Sequence, residues 1–433
     1  MSALPINIWD EANQRVALDE PQGLPLRLPI QSRRRRSYTR DMSDSRAHLH
    51  LVDDDGMRRW IYEPPAAEQL RRRASRAHIA RSGDVLRSFS YFDSSYADRG
   101  PNQITQALTA LDARLTPNQG LRRWDGQQWV RDDAPALAGK TLLLVHGTFS
   151  NSDMYVTQWA ATPEGRQLWT DLQSRYKNIL VFDHPTLSVA PWINALDLHA
   201  ALRNVTGRID VLSHSRGGLV VSWWLRLTPS RADRVIFVGS PLDGTSLASP
   251  YRLRAALDHL ATIADLLAAG GEALATVAPI AAGAAGLAKI FGRVLKLGSS
   301  LPLVDAAVAM IPGLASQQRT NNNAETRCLF AEKWLSTPTF SAVAANFEPS
   351  TTAPLWRVWD RLKNAGAQVV AGAADMVFDG PNDLVVDTAA MNFLGAHQAV
   401  QPADFLNLGN GNTYHTTYFQ DTRVTKFLDQ RLR

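Results

Sequence analysis

From Lys140 to Pro241, short apolar runs and helix-like segments take turns, and this alternation limits the fold more than any other feature of the chain. TLLLVHG, NILVFDHP, RIDVLSHS and RVIFVGSP are apolar throughout their bodies and run out into small or turn-forming residues. Segments of helical character lie between them, around 152–176, 191–204 and 217–227. Strands without in–out alternation are buried on both faces, and strands separated by helices pair in parallel through right-handed crossovers. The region therefore reads as a mostly parallel central sheet flanked by helices. The pattern stops after Pro250. From about 251 to 317 the chain is dominated by Ala, Leu and Gly and reads as a helical insertion. AQVVAGAADMVF then reads as a late strand, and VTKFLDQRL as a closing helix.

The first part, 1–138, has a different texture: polar, arginine-rich and irregular, with arginine runs at Arg33–Arg36 and Arg71–Arg73. LHLVDDDGMRRWIYEP and LRRWDGQQWVRDD each alternate apolar residues around a DG turn, the signature of a hairpin. The expected organisation is a β-containing extension over 1–138 and an α/β domain over 139–433, with the insertion as its cap. A net charge of +5 with both signs interspersed describes a solvated surface, so no nucleic acid is expected as a partner. The extension could hold a protein partner. The apolar stretch ALATVAPIAAGAAGLA is shorter than the roughly 20 residues of a spanning helix and is followed by Lys289, so no transmembrane span is expected, only peripheral membrane contact at most. The single cysteine, Cys328, allows no internal disulfide, and the acidic start MSALPINIWDEANQ is unlike a secretory signal. A cytoplasmic location is the expectation.

The chemistry is concentrated at Ser213-His214-Ser215-Arg216-Gly217-Gly218. This run lies directly between the strand IDVL and the helix GLVVSWWL. That is the setting of a nucleophile elbow, G-x-S-x-G, in which a sharp turn lifts a serine above an α/β-hydrolase sheet. Ser213 stands where the pattern has its first glycine. His146-Gly147-Thr148 ends the first α/β strand, where this fold carries its oxyanion loop. The Thr148 amide and the Arg216 amide are the expected oxyanion donors. In this fold the acid follows the nucleophile and the histidine comes last. Asp383 in PNDLVV is the candidate acid, with Asp375, Asp379 and Asp387 as rivals. His415 in NTYHTTYF is the candidate base, because His397 follows Asp383 too closely. His146 and His214 are expected beside the site, not as the base. The spacing of the aspartates fits no standard metal loop, so neither metal nor cofactor is called for.

VHGTFSN, FDHPTLS, SHSRGG, GSPLDGTSLA, IPGLASQ, NDLVV and NTYH resemble bacterial lipase- and esterase-like α/β-hydrolases, in particular an uncharacterised branch found near caspase-like CHAT proteins. The resemblance spans about 140–433. Asp243 stands where such lipases carry a histidine in a G-x-P-H-x-G-T-like segment. The resemblance implies cofactor-free hydrolysis of carboxylic esters by a Ser215–His415–Asp383 triad through an acyl-enzyme, with the insertion as a lid and a lipid-like or other small ester as substrate. An acyltransferase using the same triad, or a non-catalytic scaffold on the same fold, are the alternatives.

Overall fold

A computed structural model describes residues 46–54, 57–63, 84–92, 107–132, 135–228, 231–248, 282–283, 285–287, 311–319, 323–334, 338–348, 378, 380–395 and 398–433. Near the N-terminus, β1 (Arg46–Asp54), β2 (Met57–Glu63) and β3 (Asp84–Phe92) form an antiparallel sheet in the order β2-β1-β3. β1 and β2 are the first of the two expected hairpins, with Asp54 opposite Met57.

Helix α1 (107–115) leads into the main sheet. Its strands are β4 (Gly120–Trp124), β5 (Trp129–Arg131), β6 (Thr141–Val145), β7 (Asn178–Asp183), β8 (Ile209–His214), β9 (Ala232–Val238), β10 (Thr339–Phe347) and β11 (Phe405–Gly411). They are ordered β11-β10-β9-β8-β6-β7-β4-β5. β6 to β11 are parallel, and the β4–β5 hairpin pairs antiparallel with β7 at one edge. That hairpin is the second one expected from the sequence. Although it falls within the expected 1–138 extension, it is hydrogen-bonded into the same sheet as the strands that follow Lys140.

Helices cover both faces: α2 (Asp153–Ala160), α3 (Pro163–Arg175), α4 (Pro191–Ala201), α5 (Gly217–Leu227), α6 (Pro312–Ala315), α7 (Ala324–Leu329) and α8 (Thr422–Arg431). Every residue of β6, β7 and β8 is buried. Successive side chains go to opposite layers, as the two-residue period of a strand requires. Leu143 and Val145 pack with Val220 and Trp224 in one core, while Leu142 and Leu144 pack with Trp159, Leu172 and Leu428 in the other. The helix starts are written in the sequence. Thr162 accepts from the Gly165 amide ahead of Pro163, Asn323 accepts from the Glu325 and Thr326 amides, and Asp421 accepts from the Arg423 amide.

The late strand expected in AQVVAGAADMVF lies outside the described residues apart from Phe378. Among the described residues the strands that follow β9 in the main sheet are β10 and β11. Most of the insertion also lies outside the described residues. Its described helical residues at 282–283 and 285–287 pack on the elements before and after Lys140: a Cβ on Gly283 would come within 2.3 Å of the Phe149 ring, and one on Gly286 within 2.7 Å of Leu111. No described helix is long and apolar enough to cross a membrane.

Candidate active site

The turn from β8 into α5 carries Ser215 with φ at +53°, a left-handed conformation that costs a non-glycine residue roughly 1–2 kcal/mol. The strain is held in place by close packing. The Ser215 amide donates to the Val238 carbonyl at 2.9 Å. A Cβ on Gly217 would fall 2.4 Å from the Val145 carbonyl oxygen, so only glycine lets α5 cross β6 this closely. Three non-glycine residues among those described have positive φ: Phe149, Ser215 and Leu384. They adjoin Thr148, form the elbow, and adjoin Asp383. Backbone strain thus gathers at the three loops that carry the candidate residues.

Asp383 is fully buried and accepts four hydrogen bonds. Its Oδ1 takes the Val385 and Val386 amides at 3.0 and 2.7 Å. Its Oδ2 takes His415 Nδ1 at 2.7 Å and the Tyr418 hydroxyl at 2.9 Å. The His415 amide also donates to the Asp383 carbonyl at 3.0 Å. Sequence reasoning missed Tyr418. Its signal was only its place three residues after His415, in a short 3₁₀ turn (Tyr418–Gln420) that brings it back over the carboxylate. Burial, then the Asp383 charge, raises its hydroxyl well above the ordinary tyrosine range, so it is a permanent donor. Gly239 makes room for all three side chains. Its φ is +57°, and a Cβ there would lie 2.7 Å from the Tyr418 ring, 3.3 Å from Asp383 Oδ2 and 3.4 Å from His415 Nδ1.

Asp387, the one rival among the described residues, is placed elsewhere. Asp387 accepts from the Ser246 amide and hydroxyl at 2.8 and 2.9 Å, which holds the turn after β9. Asp243 pairs with Arg319 at 3.2 Å. Asp375, Asp379 and His397 lie outside the described residues.

His214 ties the elbow to the histidine loop. Its Nε2 donates to the His415 carbonyl at 2.8 Å, and the two rings are 4.8 Å apart. Burial, then the field of His415, pushes His214 well below its ordinary pKa, so it stays neutral. Among the described residues the Ser215 hydroxyl takes part in no hydrogen bond. Catalytic contacts of this kind are often loose until substrate binds.

The loop after β6 lies against Ser215: a Cβ on Gly147 would fall 2.4 Å from Ser215 Cβ and 3.0 Å from its hydroxyl oxygen. His146 is buried, and burial lowers its pKa, so its ring is neutral. Its Nε2 accepts the His184 amide at 3.1 Å, which leaves the proton on Nδ1. Nδ1 donates to the Gly147 carbonyl at 2.9 Å, and the Ser150 hydroxyl donates to the same oxygen at 3.1 Å. In a trans peptide the N–H opposes the carbonyl, so the Thr148 amide is aimed away from this anchor. Among the described residues neither the Thr148 nor the Arg216 amide donates to any acceptor.

Two buried carboxylates missed by sequence reasoning support the rim. Asp112, on α1, accepts the amides of Thr186, Leu187 and Ser188 at 2.9, 3.0 and 2.7 Å and the Ser188 hydroxyl at 2.6 Å. Asp183 accepts Arg122 Nε at 2.7 Å and the Ser152 amide at 2.7 Å.

A parallel sheet with a serine elbow between strand and helix, and a carboxylate–histidine pair following in chain order, defines an α/β-hydrolase. Within that class the chain belongs to the family described as Domain of unknown function (DUF7379), whose model matches residues 113–433. No curated protein sequence matches the chain. Similar solved structures include the mature form of Bacillus licheniformis lipase BlEst2 (17% identity, TM-score 0.34, covering 67% of this chain and 91% of that one). Others are olei00960, a hydrolase from Oleispira antarctica (11%, 0.39, 74% and 97%), and lipase 1 from Pelosinus fermentans (16%, 0.36, 68% and 98%). The fold is defined by the strand order and the elbow, not by these likenesses.

Proposed function

We propose that this protein is a serine hydrolase of carboxylic esters, of the esterase or lipase kind. The observation that carries the reading is the buried 2.7 Å contact between Asp383 and His415, joined through His214 to the strained elbow of Ser215. Ser215 attacks the ester carbonyl while His415 Nε2 takes its proton. Asp383 keeps the imidazole proton on Nδ1 and stabilises the charged ring, with Tyr418 and two amides holding the carboxylate in place. The Thr148 and Arg216 amides receive the oxyanion, each such donor supplying on the order of 3 kcal/mol. The alcohol leaves with the proton held by His415, and water then cleaves the acyl-enzyme by the same steps in reverse roles. No cofactor enters this sequence. The described residues of the insertion meet the loop after β6, at Gly283 on Phe149 and at Gln317 Oε1 accepting from the Thr148 hydroxyl at 3.3 Å, which supports its reading as a cap.

The test is labelling with a fluorophosphonate. The wild-type protein is expected to label at Ser215 and to hydrolyse 4-nitrophenyl esters, and Ser215→Ala to do neither, with kcat lower by about 10⁶. Labelling at another serine, or none, refutes the assignment.

A further inference from the structure

IPGLASQ, one of the runs that resemble lipases, plays no part in the chemistry proposed for Ser215. In the fold, segment 311–319 touches three of the loops at the carboxyl ends of the strands. Near its start the Gly313 amide donates to the Leu187 carbonyl at 2.9 Å, and a Cβ on Gly313 would overlap the Thr186 carbonyl, so this end is seated against the rim loop after β7. Further along, Gln317 Oε1 accepts from the Thr148 hydroxyl, after β6, at 3.3 Å. The Gln317 carbonyl then accepts the Thr245 amide at 2.8 Å, and Arg319 pairs with Asp243 at 3.2 Å, both partners lying after β9. The strands run β9-β8-β6-β7 across this part of the sheet. A segment that reaches from the β7 loop past the β6 loop to the β9 loop therefore crosses the position of β8, whose elbow carries Ser215. Gln317 makes a contact on each side of that elbow, its side chain to the β6 loop and its carbonyl to the β9 loop.

Gln317 is buried, and both ends of its side-chain amide are committed. One end lies 2.6 Å from the Gly313 carbonyl, which can only accept, so that end is Nε2. The oxygen therefore faces Thr148, and the Thr148 hydroxyl is the donor. The Gly313 carbonyl is already served by the Ser316 hydroxyl at 3.2 Å, so the cost of ordering a long glutamine side chain is not explained by that carbonyl alone. The contact that remains is the one to Thr148, and it fixes the Thr148 side-chain torsion. The peptide on the other side of Thr148 is held independently, by His146 Nδ1 and the Ser150 hydroxyl on the Gly147 carbonyl. The next residue, Phe149, is kept at a φ of +57°, a conformation that local preference does not supply and neighbours must enforce. Thr148 is thus gripped at its preceding peptide and at its side chain, while its own amide donates to no acceptor among the described residues.

We infer that Gln317 is a positioning residue for ester hydrolysis: by holding the Thr148 side chain it fixes the direction of the Thr148 amide, the proposed oxyanion donor on the β6 side of Ser215. This rests on the ester-hydrolase reading above, and the two fail separately. Gln317 acts through Thr148 and not on the substrate. Its loss is felt where the carbonyl oxygen gains charge, in kcat, and not in the binding of the uncharged ester.

The experiment is a double-mutant cycle on the full-length protein. Gln317→Met keeps the length of the side chain and removes the acceptor. Thr148→Val removes the donor and leaves 311–319 unaltered, so it stands alone if the first variant fails to fold. Each is expected to lower kcat for 4-nitrophenyl butyrate by about 10-fold, the upper range for one neutral hydrogen bond, with KM within about twofold of the wild type. The affinity of a boronic acid that mimics the tetrahedral intermediate should fall by the same factor. The acid limb of the kcat/KM profile, which belongs to His415, should stay where it is. Both substitutions delete the same contact, so the double variant should be within about twofold of the slower single one, whereas independent losses would multiply to about 100-fold. Failure of the wild type to label at Ser215 with a fluorophosphonate defeats the hydrolase reading itself. Normal labelling with multiplying losses, a loss confined to KM, or unaltered boronic acid affinity in Thr148→Val overturns the role of Gln317 and leaves the segment as packing.

Discussion

Gly147→Ala tests the placement of Ser215, the proposed nucleophile, against the loop after β6. The added methyl would fall 2.4 Å from Ser215 Cβ, 3.0 Å from its hydroxyl oxygen and 3.1 Å from the His214 carbonyl oxygen, while ordinary contact begins near 3.4 Å. None of these atoms is the far end of a flexible side chain. The elbow and the loop must therefore separate by about 1 Å, a displacement that costs on the order of 10²-fold when it falls between reacting groups. That is about 2.7 kcal/mol of transition-state stabilisation. Gly147 is not held at positive φ, so the backbone itself accepts alanine. The loss should appear in kcat/KM for a short 4-nitrophenyl ester and in the rate of fluorophosphonate labelling alike. Circular dichroism and the denaturant midpoint establish that the fold survives. A folded Gly147→Ala protein within threefold of the wild type in both assays would refute the packing of this loop on Ser215.

Asp383→Asn should lower kcat by about 10⁴ with the fold retained, because the His415 tautomer is no longer enforced; steady-state kinetics with circular dichroism checks both halves. Tyr418→Phe should cost about 10-fold in kcat/KM, since one of four donors to the carboxylate is lost. Asp112→Ala should destabilise the protein by on the order of 3 kcal/mol, read from urea denaturation, because it leaves the Thr186, Leu187 and Ser188 amides without their acceptor. Glu325 has a folded-state pKa of about 7, above the ordinary carboxyl value because of burial. Between the two values the folded chain holds a proton that the unfolded chain does not, so this group makes stability fall as pH rises from about 4.5 to about 7, by up to about 3 kcal/mol. Glu325→Gln should remove that fall, which denaturation at pH 5 and pH 8 compares directly.

The elbow was legible because its chemistry demands a local order: strand, tight turn, helix, with small residues where backbones cross. The same holds for the loop at His146 and for the position of His415 near the end of the chain. β10 was not singled out in the sequence, since nothing in composition marks TFSAVAANF above other apolar runs of its length. β11, FLNLGNG, carries the Gly and Asn residues that otherwise mark turns, and it survives as a strand because it sits at the sheet edge with one neighbour. Tyr418 on Asp383, Asp112 on the loop at 186–188, and Arg122 on Asp183 join residues 35 to 76 positions apart. Such pairs have no period or motif, and only the folded chain brings them together. The β4–β5 hairpin was legible as a hairpin but not as part of the main sheet, because the pairing of β4 with β7 depends on the chain folding back across the 53 residues between Trp124 and Asn178.

The anchoring of the Gly147–Thr148 peptide has a consequence for the time course of inhibition. Two donors, the His146 ring and the Ser150 hydroxyl, grip the carbonyl, and the His146 ring is itself fixed by the backbone of the neighbouring strand end. Turning this peptide over would break both grips and leave a buried ring nitrogen without its acceptor. The amide on the other side is thus set before any ligand arrives. If the Thr148 amide is the proposed oxyanion donor, a boronic acid that mimics the tetrahedral intermediate should bind in a single concentration-dependent phase, with no slow isomerisation after encounter.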